Sequence, residues 1–368
     1  MSDRDSVASV DERSNLEEEI PLTEEEAASR DAFVASVREL YDAGTPFFTK
    51  EMIQLAQDQV DQIAEGSISP EKVDRLGFDG KMHSQCFPPS FFTKIEDEIL
   101  FPIVGYNSFE SLTMLPPNRL GDNLFISVRI SGLYRSINEL PDISQDDARC
   151  AFDKCFDLWE QGEEWADLKE RIRPHLSRLP VTIDKIIGFG LGVLTTETRC
   201  NVDNEWVKRC SEQHALMLTL AKMFREHTGN SVKCFAQDPA YSNTCKDILG
   251  KRGVDIVHGD TGFLLVDENS IVLSFSPNVP VRQVIADLTR PAMMVCNLIS
   301  KPTRTEWRRC GGVSVSPYTT DPVSPRVMAL KEGYIELPIN TVVSLGESAV
   351  YIRDEKTSKP PQAQGTSS

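Results

Sequence analysis

The sequence has no apolar run long enough to cross a membrane. A membrane-spanning helix needs roughly 20 consecutive, mostly apolar residues, and no stretch of this 368-residue chain approaches that length. The first residues also lack the short apolar segment that marks a secretory signal peptide. We therefore expect a soluble, intracellular protein of the cytoplasm, with the nucleus as an additional location and no membrane partner.

Basic residues are scarce relative to acidic ones. The chain contains 39 Lys and Arg against 56 Asp and Glu, which gives a formal net charge of −17. Contact with nucleic acid or with an anionic membrane surface requires clustered Lys and Arg. The charge balance therefore predicts no direct nucleic-acid partner, and we expect a protein partner instead.

Motifs for metal binding, disulfide bonding and common hydrolytic chemistry are also absent. The nine cysteines are scattered, and none of them forms a Cys-x-x-Cys pair. Structural zinc sites and disulfide frameworks need regular cysteine spacing, so we predict neither. The Gly-x-Ser-x-Gly turn of α/β-hydrolases and the phosphate-binding P-loop are missing too.

Composition divides the chain into five segments. Both ends are polar and poor in aromatic residues, which is typical of disorder, and the first 30 residues carry ten acidic residues against three basic ones. Helical spacing of apolar residues dominates the part that follows. The predicted segments are a disordered acidic tail (1–30), a mainly helical N-terminal extension (31–178), a Rossmann-like core (179–300), a C-terminal extension with short strands (301–352) and a disordered tail (353–368).

Between residues 181 and 300, short apolar strands alternate with amphipathic helices. The strand candidates are "KIIGF", "VKCFAQ", "VDIV", "IVLSFS" and "AMMVCNLI". Such alternation indicates a parallel sheet that is covered on both faces. Right-handed crossovers then produce an α/β fold with a Rossmann-like, doubly wound, mostly parallel sheet. Two later segments, "GYIELPI" and "SAVYIRDE", either extend this sheet or form a small hairpin.

A glycine-spaced turn follows the first of these strands. Gly188, Gly190 and Gly192 lie in "KIIGFGLG", at the carboxyl end of the strand, where doubly wound sheets bind their ligands. Glycine lets the backbone bend and lets a ligand approach closely. The dinucleotide pattern, however, requires a helix that starts inside the motif. Here residues 193–212 separate the turn from a helix that we predict to begin near Ser211.

The second strand ends in an acid that fits a methyl-donor site. S-adenosylmethionine carries no phosphate, and its sites combine a glycine-rich first turn with an acid that accepts hydrogen bonds from the ribose hydroxyls. Asp238, in "CFAQDP", lies at that position. The candidate cofactor-binding residues are therefore Gly188, Gly190, Gly192 and Asp238, and S-adenosylmethionine is the cofactor that fits them. A tight turn followed by a helix cap is the alternative interpretation.

No residue of the sequence is identified as catalytic. His214 and His258 have no second ligand at metal spacing, so we interpret both as surface or core histidines. The fourth strand ends in "SFSPNVP". If the protein transfers a methyl group, residues near Asn278 face the acceptor.

Several motifs, in their order, resemble the sensitivity-to-red-light-reduced (SRR-like) domain family. They are the glycine turn at 188–192, "QHAL" at 213–216, Asp238–Pro239, Leu249–Gly250 and a strand that ends near Pro277. The resemblance is close over residues 180–300. "AGTPFFTKEMI" and the helix with Trp159 and Trp165 resemble the N-terminal extension of fungal members. Family members often have an aromatic residue before Asp-Pro, where this chain has Gln237.

The resemblance implies a regulatory role. Members are linked to light and circadian signalling in plants, to haem-related regulation in animals and to cytoskeletal phenotypes in yeast, and no catalytic residues carry over. We therefore predict a regulatory protein whose Rossmann-like domain binds a small adenine-type ligand. One alternative is an S-adenosylmethionine-dependent methyltransferase. The other is a protein-interaction module without a ligand, in which Leu191 or Trp206 fills the crevice and the helices of 31–65 expose an apolar patch.

Overall fold

The computed structural model describes most of the chain. The described residues are 21–87, 94–95, 98–116, 119–121, 124–136, 144–179, 183–195, 205–310, 313–339 and 342–354. Most of the predicted tails at 1–30 and 353–368 lies outside the described residues. The same holds for the middle of segment 193–212.

The described part of the chain contains ten α-helices. None of them is both long and apolar enough to cross a membrane. The helices are α1 (Glu24–Asp42), α2 (Lys50–Ala64), α3 (Phe109–Thr113), α4 (Gln145–Gln161), α5 (Glu163–Ile172), α6 (Glu205–Thr228), α7 (Asn243–Lys251), α8 (Thr261–Leu265), α9 (Val281–Leu288) and α10 (Pro325–Lys331).

The strands fall into a central sheet and three small ones, which pair β1 with β2, β11 with β12, and β4 with both β3 and β5. The strands are β1 (Lys72–Leu76), β2 (Met82–Cys86), β3 (Lys94–Ile95), β4 (Glu98–Tyr106), β5 (Val128–Ser136), β6 (Lys185–Phe189), β7 (Lys233–Gln237), β8 (Val254–Ile256), β9 (Ser270–Ser274), β10 (Met293–Asn297), β11 (Arg308–Cys310), β12 (Val313–Val315), β13 (Tyr334–Ile339) and β14 (Ser348–Arg353).

The central sheet has seven strands in the order β13-β14-β10-β9-β6-β7-β8. The five strands from β10 to β8 are parallel. Numbered along the chain, they have the 3-2-1-4-5 order of a Rossmann fold. The predicted α/β fold with a doubly wound, mostly parallel sheet is therefore confirmed.

β14 is the reversed strand of this sheet. It lies between β10 and β13 and pairs antiparallel with both. The two strand candidates after residue 300 therefore extend the central sheet, and the hairpin that they form is part of it.

The sheet separates two apolar cores, because successive side chains of a strand point to opposite faces. One core contains Ile186 and Leu273 from the strands and packs against α4, α5, α6 and α7. The other contains Ile187, Phe189 and Val272 and packs against α8, α9, α10 and the N-terminal extension. The part of the extension from α1 to β5 thus forms one layer of the same structural unit as the sheet, and α4 and α5 lie on the other face.

The extension supplies most of the cover on this second face. The helices that follow residue 260 on this face are short: α8 has five residues, α9 has eight and α10 has seven. Phe47, Phe48 and Ile53 from the extension are almost fully buried in the same core. They replace the long crossover helices that usually cover a doubly wound sheet.

Polar contacts fix the extension to α9 and α10. The Asp287 carboxylate accepts hydrogen bonds from the backbone N–H groups of Phe47 (2.6 Å) and Phe48 (3.1 Å). Arg326 pairs with Asp287 at 2.9 Å and donates to the carbonyl of Tyr41 at 2.6 Å. The guanidinium also lies 3.9 Å from the centre of the Tyr41 ring.

The extension differs from the sequence-based expectation in where its first helix begins and in its content of strands. α1 begins at Glu24, within the predicted tail, because Thr23 and Glu26 form a reciprocal capping box that starts the helix about two turns before residue 31. The extension also contains the strands β1 to β5. The alternation of apolar and polar residues in "NLFISVRISGLY" predicts the last of these strands, whereas the others show little alternation.

Candidate functional site

The candidate site lies where the strand order of the sheet reverses. β6 is flanked by β7 on one side and β9 on the other, and Phe189 is in register with both Gln237 and Ser274. The three strands therefore end at the same level. Ligands of open α/β sheets bind in the crevice outside these carboxyl ends.

Two of the three glycines are required by packing. A Cβ at Gly188 would lie 2.5 Å from the side chains of Leu191 and Met217, and Gly188 itself is buried. At Gly192, where φ is +78°, a Cβ would overlap the thiol of Cys210. Neither position leaves room for a larger residue, whether or not a ligand is bound.

Gly190 is the least crowded of the three glycines. Its φ is +63°, and the atom nearest to a Cβ at this position would be Pro277 Cβ, 3.4 Å away. Its N–H donates to the Gln237 carbonyl at 2.9 Å, which closes the turn. Gly190 therefore lies at the carboxyl end of β6, next to Pro277 from the loop after β9.

Asp238 lies beside this turn and stabilises it. One carboxylate oxygen accepts a hydrogen bond from the Gly192 N–H at 2.9 Å, and the other accepts from the Ala240 N–H at 2.9 Å. Burial raises the pKa of Asp238, and these two bonds act in the opposite direction. A carboxylate has about four acceptor positions, so Asp238 keeps acceptor capacity after both backbone bonds.

His214 is a core histidine that braces this arrangement. Its Nδ1–H donates to the Cys210 carbonyl at 2.7 Å, so Nε2 is the acceptor for the Tyr241 hydroxyl, also at 2.7 Å. Burial lowers the pKa of His214 to about 4, and the ring is neutral at physiological pH. His258, by contrast, is exposed and pairs with Asp61 on α2 at 2.8 Å.

The apolar surface patch expected of a ligand-free interaction module is not found on the helices of residues 31–65. Leu191 is fully buried beneath the turn, and Trp206 is 53% exposed. Within residues 31–65, all of which are described, no large apolar side chain is exposed. Leu191 therefore belongs to the core.

α6 begins nearer to the glycine turn than the sequence periodicity predicts. The helix starts at Glu205, six residues before the predicted start at Ser211, because Val207 and Cys210 continue its buried face. The separation between Gly192 and the helix is therefore twelve residues. Of these, 196–204 lie outside the described residues.

A second buried acid lies on the other face of the sheet and was missed at the sequence level. Asp260, just after β8, accepts hydrogen bonds from the Tyr106 hydroxyl at 2.7 Å and from Gln237 Nε2 at 3.0 Å. Its backbone N–H donates to Gln57 Oε1 at 3.0 Å. Burial raises the pKa of Asp260 to about 6. The one available sequence signal is Gln237, which stands where SRR-like members often have an aromatic residue.

Asp260→Asn is expected to change how stability depends on pH. A carboxyl group with a pKa near 6 in the folded protein and about 3.9 when unfolded binds more protons in the folded state between these values. Stability is therefore lost as the pH rises through 6, by roughly 3 kcal/mol at most. Asparagine keeps the acceptor for Tyr106 and Gln237, so the variant should be more stable than wild type at pH 8 and similar at pH 4.5.

Urea unfolding at pH 4.5 and pH 8 measures this difference. Asp255→Asn is the matched control, because Asp255 is exposed on the adjacent strand β8, and its stability should follow that of the wild type. Equal pH dependence of wild type and Asp260→Asn would mean that Asp260 is ionised at little cost.

No group of three His, Cys, Asp or Glu side chains within the described ranges is placed to bind a metal ion. The chain was also compared with known proteins. The family model of the SRR1 domain matches residues 168–343, which confirms the family resemblance of the motifs between Gly188 and Pro277. No curated protein and no solved structure matches the chain significantly.

Proposed function

The chain carries an SRR1 domain at residues 168–343, and from that premise we propose that this domain binds a small adenosine-containing ligand and acts as a regulatory protein. The binding site is the crevice at the carboxyl ends of β6, β7 and β9. S-adenosylmethionine or S-adenosylhomocysteine is the ligand class that fits it.

The observation that carries this proposal is the pairing of Gly190 with Asp238 at the switch point of the sheet. Gly190 has no side chain, and no atom outside its own turn lies closer than 3.4 Å to its Cβ position, so a ligand can approach the backbone closely. Asp238 lies one strand away with acceptor positions to spare, and ribose hydroxyls are donors of the kind that it can bind. A ligand with a pyrophosphate group is not favoured, because such a group binds at the N-terminus of a helix that starts within the glycine turn. Here twelve residues separate Gly192 from the start of α6.

Methyl transfer is the second candidate function. It is favoured by β14, which is inserted in reverse between β10 and β13. A Rossmann-order sheet with one reversed strand at this place is typical of S-adenosylmethionine-dependent methyltransferases, although likeness of fold supports a hypothesis without establishing a reaction. Release of S-adenosylhomocysteine from S-adenosylmethionine in the presence of a cell extract would test it.

Calorimetric titration with S-adenosylmethionine, S-adenosylhomocysteine, NAD and haem tests ligand binding. We expect an adenosine ligand to bind the wild type and Gly190→Trp to abolish that binding, because the indole would occupy the crevice. Gly229→Trp is the matched control. Gly229 also has a positive φ, +74°, so the backbone strain is alike, and nothing lies within 4 Å of its Cβ position. Gly229 precedes β7 and therefore lies at the end of the sheet opposite to the proposed site.

Asp238→Ala, measured in the same titrations, should lower the affinity about tenfold or more, as expected for the loss of hydrogen bonds to a charged acceptor. Asp255→Ala should leave the affinity unchanged. Absence of binding by the wild type across all four compounds would overturn the proposal. Unchanged affinity in Gly190→Trp would overturn this placement of the site.

A further inference from the structure

We infer that the loop at 276–278, after β9, recognises the part of the ligand that extends beyond the adenosine, and that this part is a polar, hydrogen-bonding substituent on the 5′ carbon. The inference rests on the proposed function and deepens it. It assigns a second half to the crevice, opposite Asp238.

The loop lies next to Gly190, on the opposite side from Asp238. Pro277 Cβ lies 3.4 Å from the Cβ position of Gly190, so the loop forms the wall of the crevice on the β9 side. Asp238 follows β7 on the other side. Neighbouring strands are about 4.8 Å apart, so the ends of β7 and β9 are separated by about 10 Å. A ligand whose ribose contacts Asp238 reaches the loop only through a substituent that crosses Gly190.

The backbone of the loop has an uncommon conformation at Ser276. Ser276 has a φ of +50°, and it is the only described residue other than glycine with a positive φ. Such a conformation costs of order 1–3 kcal/mol and persists only where neighbouring groups enforce it, often at a ligand site. Ser276 itself is exposed, so its side chain is not part of the core.

Side chains from two other segments hold the loop in this conformation. Asn297, at the end of β10, accepts a hydrogen bond from the Ser276 N–H at 2.6 Å and donates to the Ser276 hydroxyl at 3.3 Å. The Thr320 hydroxyl donates to the Pro277 carbonyl at 2.5 Å. The loop is therefore fixed in advance of binding, which lowers the entropic cost of binding.

The chemistry of the loop indicates the kind of group that it binds. Asn278 is exposed, and its amide both donates and accepts hydrogen bonds. The nearest buried charges, Arg282 and Asp321, bind each other at 2.8 Å and are not available to a ligand. A group with both donors and acceptors, such as the α-amino and carboxylate groups of an amino-acid tail, matches this neutral surface.

Comparison of S-adenosylhomocysteine with 5′-methylthioadenosine tests the inference, because the second compound lacks the amino-acid tail. We expect Asn278→Ala to lower the affinity for S-adenosylhomocysteine at least tenfold and to change that for 5′-methylthioadenosine less than twofold. Ser276→Gly should show the same selectivity to a smaller extent, because it removes the hydroxyl that Asn297 binds and makes the loop less rigid. Glycine adopts this φ without strain, so that variant keeps the fold. Asn269→Ala, at the opposite end of β9, is the control.

The outcomes separate the two proposals. Wild-type binding of both compounds that is unaffected by Asn278→Ala and Ser276→Gly overturns the role of the loop and leaves the adenosine site intact. Equal loss of both compounds in these variants also overturns it, since the loop would then act only on the shape of the crevice. Binding of neither compound by the wild type overturns the proposed function and this inference together.

Discussion

A protein that begins at residue 144, without α1–α3 and β1–β5, is expected to lose cooperative folding. Those elements cover one face of the central sheet, where Ile187, Phe189 and Val272 would become exposed. The helices left on that face have five to eight residues and cannot replace them. The truncated chain should show no cooperative thermal transition by circular dichroism, and it should bind hydrophobic dyes and aggregate.

The size of the effect follows from burial. The six most deeply buried large side chains of α1, α2 and the turn between them are at most 6% exposed: Val37, Tyr41, Phe47, Phe48, Met52 and Ile53. At 1.5–3 kcal/mol for each, their burial contributes roughly 10–20 kcal/mol, and typical domains are stable by only about 5–15 kcal/mol. The match to the SRR1 domain begins at residue 168, so the matched region is not expected to fold by itself.

A protein that begins at residue 21 is the control for this truncation. It keeps every described contact of the extension, including the bonds of Asp287 to Phe47 and Phe48. Its melting temperature should match that of the full chain. A cooperative transition in the chain that begins at residue 144, at the same temperature as the control, would show that the extension is an independent unit.

Asp321→Ala is expected to be the most destabilising single substitution that we consider, at about 3–5 kcal/mol. The side chains of Arg282 and Asp321 are only 8% and 5% exposed. Asp321 accepts from both Nε and the backbone N–H of Arg282, and its carbonyl accepts from the same guanidinium. Removing the carboxylate leaves a buried positive charge without its counter-ion.

The free energy of unfolding of two further variants, measured by chemical denaturation, is the comparison for Asp321→Ala. Asp247→Ala removes the partner of Lys251 in an ion pair on the surface of α7, and it should cost at most about 1 kcal/mol. The double variant Arg282→Met with Asp321→Leu removes both buried charges and should recover much of the lost stability. A cost for Asp321→Ala as small as that for Asp247→Ala would mean that solvent reaches the pair.

Local patterns in the sequence are enough to locate the strands of the central sheet. The strands β6, β7, β9 and β10 coincide with apolar runs such as "KIIGF", because strands buried on both faces are apolar throughout. The position of Gly190 and Asp238 at strand ends follows from the same runs. The strands β1 to β4 could not be found in this way, since they form small sheets whose alternation is weak.

Contacts between distant parts of the chain are beyond such patterns. Tyr106 and Asp260 are 154 residues apart, and nothing local to either residue predicts that they meet. The same holds for Asn297 and Ser276, which meet because β10 lies beside β9 in the sheet. The sequence therefore predicts the glycine turn with its acid and points to the loop at Pro277 and Asn278, but it does not predict the contacts of Asn297 and Thr320 that fix this loop.

The place of β14 in the sheet has a consequence for how the protein is made. Among the described strands, β13 pairs with β14 alone, and β14 separates it from β10. During synthesis on the ribosome, β10 and β13 are complete before residues 348–353 exist, so both then carry an unpaired edge. Unpaired strand edges invite pairing with other chains. The growing chain should therefore depend on chaperones until its last described strand emerges.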